Sequence, residues 1–116
     1  MRLTLLQQSL KKPFLQPLTK MTIYKILFSD IALNDIKSAK GWYNLQQKGL
    51  GKKLATDIKA TSSAIQRNPF FSSVRYRDIR KASCKKFPYA IHYKVYEDQK
   101  LVFVTAVFHE SRKPLT

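Results

Sequence analysis

Between Ile23 and Phe28 the residues alternate so that Tyr24, Ile26 and Phe28 make one wholly apolar face, with Ile23, Lys25 and Leu27 on the other, which predicts a short strand. Ser29 and Asp30 then offer side-chain oxygens that can accept from the unpaired amides of a first helical turn. Ala32, Ile36, Ala39 and Tyr43 follow at three- and four-residue spacing, while Asn34, Lys37 and Lys40 fall on the opposite side, predicting a first helix to about Lys48. Gly49-Leu50-Gly51 interrupts the pattern. Leu50, Leu54, Ile58 and Ile65 then mark a second amphipathic helix whose solvent side carries Lys52, Lys53, Lys59 and Arg67. Asn68-Pro69 ends it, because proline cannot continue a helix and biases its predecessor toward extended geometry. So short a break between two such helices predicts an antiparallel helical hairpin.

From Ser73 onward the period becomes two. Phe87, Tyr89, Ile91, Tyr93 and Val95 alternate with Pro88, Ala90, His92, Lys94 and Tyr96, and Leu101 to Phe108 follows after the polar turn Glu97-Asp98-Gln99-Lys100. Setting Tyr96 opposite Leu101 pairs Val95 with Val102, Tyr93 with Val104, Ile91 with Ala106 and Tyr89 with Phe108, all apolar. That register places Lys94 beside Phe103, His92 beside Thr105 and His109 near Pro88, with both histidines on the face away from the helices. Val74 to Ala82 reads as a further strand, but Val74 and Ile79 have opposite parity, which predicts a bulge or break near Asp78. The expected fold is α+β: a two-layer sandwich of order β-α-α-β-β-β, its helical hairpin packed on an antiparallel sheet.

A chain of 116 residues buries roughly two-thirds of the surface it would expose unfolded, enough for one core and not for two. Residues 1–20 carry Pro13 and Pro17 and stop just before the first strand pattern, so they read as an N-terminal extension, or an overlong start, to a domain over 21–116; the alternative is a short helix over Leu3 to Leu10 docked on that domain. No apolar run approaches the roughly 18 residues of a membrane span, and runs such as Leu5-Leu6 fall far short of a signal-peptide core. The lone Cys84 excludes an internal disulfide or a thiolate metal site and reads as a reduced, cytoplasmic thiol. The formal charge is +15; Arg2, Lys11, Lys12 and Lys20 contribute four of it, leaving +11 on the domain.

The densest charge lies between Val74 and Lys86, where Arg75, Arg77, Arg80, Lys81, Lys85 and Lys86 face a single carboxylate, Asp78. Such a stretch suits a polyanion, with Tyr76, Phe87 and Tyr89 available for stacking; a solvated basic face or an acidic protein partner fits the same charge. His92 and His109, the only histidines, are the candidates for moving a proton near neutral pH, and Arg112 and Lys113 lie close behind His109. Two histidines without a carboxylate cluster make a poor metal set, no glycine-rich phosphate loop or nucleophile elbow is present, and no cofactor is called for. Glu110 beside His109 makes a poor dyad, since neighbours on a strand point to opposite faces.

In this order of elements, Phe28-Ser29 with Ala32 and Asp35-Ile36, the pair Trp42-Tyr43, Asn68-Pro69, Val74-Arg75-Tyr76, Phe87-Pro88-Tyr89 with Ile91 and Tyr93, and Val107-Phe108-His109 with Ser111-Arg112 and Pro114 together resemble the RelE/ParE superfamily of type II toxin-antitoxin toxins over Met21 to Pro114. The resemblance implies a small basic toxin, cytoplasmic and away from membranes, that forms an oligomer with a cognate acidic antitoxin. It implies one of two targets: RelE-like members cut mRNA on the ribosome without a metal, and ParE-like members poison DNA gyrase and are not nucleases. For cleavage, Arg75, Arg77, Arg80, His92, His109 and Arg112 would fill the catalytic roles. Arg75, Arg77, Arg80, Lys81, Lys85, Lys86, Lys94 and Lys113 would bind nucleic acid. No Tyr follows Tyr96, so the version of that chemistry with a C-terminal tyrosine has no candidate. A non-catalytic RNA- or ribosome-binding module is the alternative from another class.

Overall fold

Two helices lie across one face of a five-stranded sheet. In chain order these are β1 (Lys25–Phe28), α1 (Asp30–Gln46), α2 (Leu50–Arg67), β2 (Val74–Tyr76), β3 (Ile79–Ser83), β4 (Tyr89–Tyr96) and β5 (Leu101–His109), with one 3-10 turn at Glu97–Gln99 between the last two strands. The computed structural model describes residues 23–111, so the N-terminal extension, Arg112 and Lys113 lie outside the described residues. The two-layer α+β architecture is as expected, but the sheet is mixed rather than wholly antiparallel. Its order is β1-β5-β4-β3-β2. Strands β2 to β5 form the antiparallel meander, whereas β1 pairs parallel to β5, Lys25 opposite Leu101 through Phe28 opposite Val104. The helical hairpin carries the chain over the sheet before the meander returns it beside β1, which is how the edge strand comes to run the same way as β5. The predicted break near Asp78 is a turn at Arg77-Asp78 that separates β2 from β3, and Arg77 takes a left-handed conformation there (φ 54°).

Local chemistry sets the helix boundaries. Ser29 caps α1, its Oγ accepting from the Ala32 amide at 3.0 Å. Gly49, left-handed at φ 87°, reverses the chain into α2. At Gly51 the two helices come so close that a Cβ would stand 2.6 Å from the Lys40 carbonyl oxygen, and the Gly51 amide donates to Asn44 Oδ1 at 2.8 Å. Leu54, Ile58 and Ile65 of α2 and Ala32 and Ala39 of α1 bury against Ile91, Tyr93, Val102 and Val104. Each large aliphatic side chain in that layer contributes on the order of 1.5–3 kcal/mol through burial.

Tyr93 is fully buried and also organises the connector between α2 and β2. Its phenol donates to the Pro69 carbonyl at 2.8 Å, so the Ser72 hydroxyl, 2.7 Å away, supplies the second proton of the pair. Burial pushes the phenol's pKa up.

The β4–β5 register agrees with expectation from Tyr96–Leu101 to Tyr93–Val104 and then shifts by one residue. Thr105 is an extra residue in β5, so His92 faces Ala106, Ile91 faces Val107, Ala90 faces Phe108 and Tyr89 faces His109. The expected pairs Ile91–Ala106 and Tyr89–Phe108 are therefore corrected. Val107 enters the core, and Phe108 moves to the outer face against His92. The bulge is held from the helix side: Ser29 Oγ donates to the Thr105 carbonyl at 2.9 Å and the Val107 amide donates to Asp35 Oδ2 at 3.0 Å. Thr105 Oγ1 closes the gap by donating to the His92 carbonyl at 3.2 Å. Replacing Asp35 by Ala removes the acceptor of a part-buried amide and should lower the unfolding free energy by about 1–3 kcal/mol in urea titrations. Asp35→Asn keeps an acceptor oxygen and should lose less; equal losses in the two variants would deny the bulge contact any role in stability.

Candidate functional site

The sheet face turned away from the helices gathers a polar cluster from four strands. Lys81 of β3 stands opposite His92 of β4, and Arg75 of β2 lies near enough to influence both His92 and Glu110. Glu110, just past β5, accepts from Lys81 Nζ at 3.0 Å and from Ser83 Oγ at 2.8 Å. Phe108 packs edge-on against the His92 ring, centroids 4.8 Å apart. Further along the same face Lys94 pairs with Asp78 at 3.7 Å.

The other sequence-predicted residues are dispersed. Arg80 stands opposite Tyr93 and therefore points to the helix side, where its guanidinium donates to the Ser72 carbonyl and lies 5.0 Å from the centre of the Phe70 ring. Arg77 sits on the exposed β2–β3 turn over the Tyr76 ring at 5.3 Å. Lys85 and Lys86 are exposed on the loop before β4. His109 does not share the outer face with His92, as the sequence register required. The bulge turns it to the helix side, where it meets Tyr89 at 5.1 Å between ring centres. Its Nδ1 accepts the Ser111 amide at 3.2 Å, which puts the proton of the neutral ring on Nε2. The two imidazoles thus lie on opposite faces of one sheet and cannot act on one phosphate.

The sequence reading also passed over Asp57. It sits in the apolar stripe of α2 at 5% exposure, and its carboxylate accepts the amides of Lys85, Lys86 and Phe87 at 3.4, 2.9 and 2.8 Å. Three N–H groups converging on one side chain fix the loop from Lys85 to Phe87. A charged residue between Leu54, Ile58 and Thr61 was the signal available in the sequence. Cys84 beside this loop is a free thiol whose pKa burial raises, which makes it a weak nucleophile. Among the described residues no three His, Cys, Asp or Glu side chains group as a metal site, and no helix is long and apolar enough to cross a membrane.

Burial lowers the pKa of His92, and the neighbouring Lys81 and Arg75 lower it further against a weaker opposing pull from Glu110. Hydrogen bonds from Ser83 and Lys81 hold the Glu110 carboxyl below its ordinary range. The folded chain therefore keeps His92 neutral while the unfolded chain takes up a proton, so stability should decline as pH falls below the ordinary imidazole value of 6.5. The contribution of Glu110 is present above its ordinary 4.5 and is lost at lower pH still, as pH falls through its depressed folded value. Thermal melts between pH 7.5 and 5 should show a falling Tm for the wild type and a flatter profile for His92→Gln; parallel profiles would remove His92 from the titration.

The chain has relatives among solved structures. It resembles a chain of the chromosomal ParDE toxin-antitoxin system of P. aeruginosa with a TM-score of 0.64 at 13% identity, covering 75% of this chain and 96% of that one. It resembles a chain of the intact E. coli RelBE toxin-antitoxin complex with a TM-score of 0.59 at 21% identity, covering 77% and 99%. For the M. tuberculosis RelBE2 toxin-antitoxin complex the TM-score is 0.56 at 17% identity, covering 79% and 97%. At these identities the likeness concerns the fold, which is RelE/ParE-like. No curated protein matches the sequence. The profile of the ParE toxin of the type II toxin-antitoxin system parDE, however, matches residues 26–114, from β1 to beyond the end of β5. With that match over most of its length, the chain belongs to the ParE toxin family of type II toxin-antitoxin systems.

Proposed function

We propose that this toxin arrests growth in the cytoplasm by binding DNA gyrase, and that a cognate acidic antitoxin neutralises it by covering the basic outer face of the sheet. The observation that carries the choice of target is the engagement of the groups that cleavage would need. Lys81 is neutralised by Glu110, His92 is shielded by Phe108, Arg80 is bound to the Ser72 carbonyl on the helix side, and His109 is turned to that side as well. Phosphoryl chemistry calls for a proton-transfer group and cations free to meet the developing charge. A binding role makes no such demand. The family of the chain supports the same reading.

On this proposal Arg75, Arg77 and Lys94 belong to the surface that target and antitoxin compete for. An antitoxin of net negative charge would bind it through ion pairs that salt screens over about 8 Å at physiological ionic strength. The second reading, ribosome-dependent mRNA cleavage, draws on one observation: Arg75, Lys81 and His92 do share a face, and burial keeps His92 neutral and able to accept a proton. Two measurements on one preparation separate the readings. Purified toxin should inhibit gyrase supercoiling in vitro, and mRNA ends mapped after induction should show no new cleavage sites. Cleavage without gyrase inhibition would reverse the assignment. Arg75→Ala combined with Arg112→Ala should abolish growth arrest in a protein that stays folded by circular dichroism, while deletion of residues 1–20 should leave arrest intact.

A further inference from the structure

We infer that the outward side of the helical hairpin is a second polyanion-binding surface, separated from the sheet face by the full thickness of the core, and that it takes the phosphate backbone of duplex DNA. Lys40, Lys48 and Lys52 line one shallow groove of about 620 Å³ where the two helices meet. Lys59 continues the line along α2, two turns and about 10 Å beyond Lys52. None of the four has an ion-pair partner among the described residues; the two pairs there are Lys81–Glu110 and Lys94–Asp78, both on the sheet. The hairpin has three carboxylates, and two of them are turned inward: Asp35 onto the Val107 amide and Asp57 onto the loop from Lys85 to Phe87. Asp30, the third, lies at the start of α1, far along the helix from the groove at its other end. The acids that would screen this side are thus committed to the fold, and the cations are left to solvent.

The chemistry of the patch selects among anions. Helix α2 contains no aromatic residue, Tyr43 of α1 packs on Phe87 and Tyr89, and Trp42, half-exposed and edge-on to Tyr43, is not part of the groove lining. Without a ring in the groove a single strand gains little there beyond charge. Lysine ammonium groups are point charges without the planar fork that reads base edges, so contacts here address phosphates and carry no sequence preference. The identification of the duplex as DNA rests on the gyrase reading, since gyrase holds DNA; the charge arrangement itself does not depend on it.

The test measures binding of the full chain to a labelled 20-base-pair DNA duplex by fluorescence anisotropy between 50 and 200 mM salt, without gyrase. In Lys48→Gln/Lys52→Gln/Lys59→Gln, exposed substitutions in the inter-helix turn and on α2, affinity should fall about tenfold and the slope of log K against log salt should shrink by about 2 to 3, at roughly 0.9 per lost phosphate contact. Arg75→Ala should change the slope by no more than about one contact, and a duplex of unrelated sequence should bind equally well. Retention of wild-type affinity and slope by the lysine variant overturns the inference, as does tighter binding of single-stranded DNA or of an RNA duplex of the same length. Because no gyrase is present, this result is independent of the supercoiling measurement, and either proposal can fail without the other.

Discussion

The carboxylate of Asp35 on the Val107 amide, together with Ser29 on the neighbouring Thr105 carbonyl, holds one extra residue in the central pair of strands. Much of the molecule follows from that bulge. Before it, Val102 and Val104 face the helices; after it, Val107 does, and the parity of everything toward the C-terminal end of β5 is reversed. The core gains a β-branched side chain in place of Ala106, the outer face gains Phe108, and His109 is carried to the helix side. Without the two side chains from the start of α1, Thr105 would have neither a partner for its displaced carbonyl nor a reason to leave the ladder.

What was legible in the sequence, and what was not, divides at the same place. Helical stripes such as Leu54, Ile58 and Ile65, the Ser29 cap and the register from Tyr96 to Tyr93 follow from local periodicity, and the structure has them. The bulge does not, because Ala106, Val107 and Phe108 are all apolar and either parity yields an apolar face. The side chains that decide between them, Ser29 and Asp35, lie some seventy residues away. The parallel pairing of β1 is equally non-local: a strand pattern states which face is buried, not which way its neighbour runs. Of the candidate site, Arg75, Lys81 and His92 share the outer face, whereas His109, placed there by alternation, is turned over by the bulge, and Arg80, named only for its charge, is held on the helix side by the connector that Tyr93 organises.

Charge is distributed by a simple division of labour. Four of the seven carboxylates lie against the fold's own groups: Asp35 and Asp57 accept backbone amides, Glu110 holds Lys81 and Ser83, and Asp78 meets Lys94. Most of the cations stay at the surface, on the sheet's outer face and on the hairpin. The positive field of the molecule is therefore a product of how its acids are used as much as of how many bases it has.

Asp57 has one further consequence. Its three hydrogen bonds are to main-chain amides, and the side chains of Lys85 and Lys86 take no part in them. The loop is thus constrained in length and path, and at Phe87 by its packing on Tyr43, but left open in composition at Lys85 and Lys86. Substitutions there can invert charge or bulk without loosening the turn, whereas an insertion or deletion would strand the carboxylate in an apolar layer. Paralogues that diverge in partner choice have in this loop a place where specificity can drift at little cost to folding.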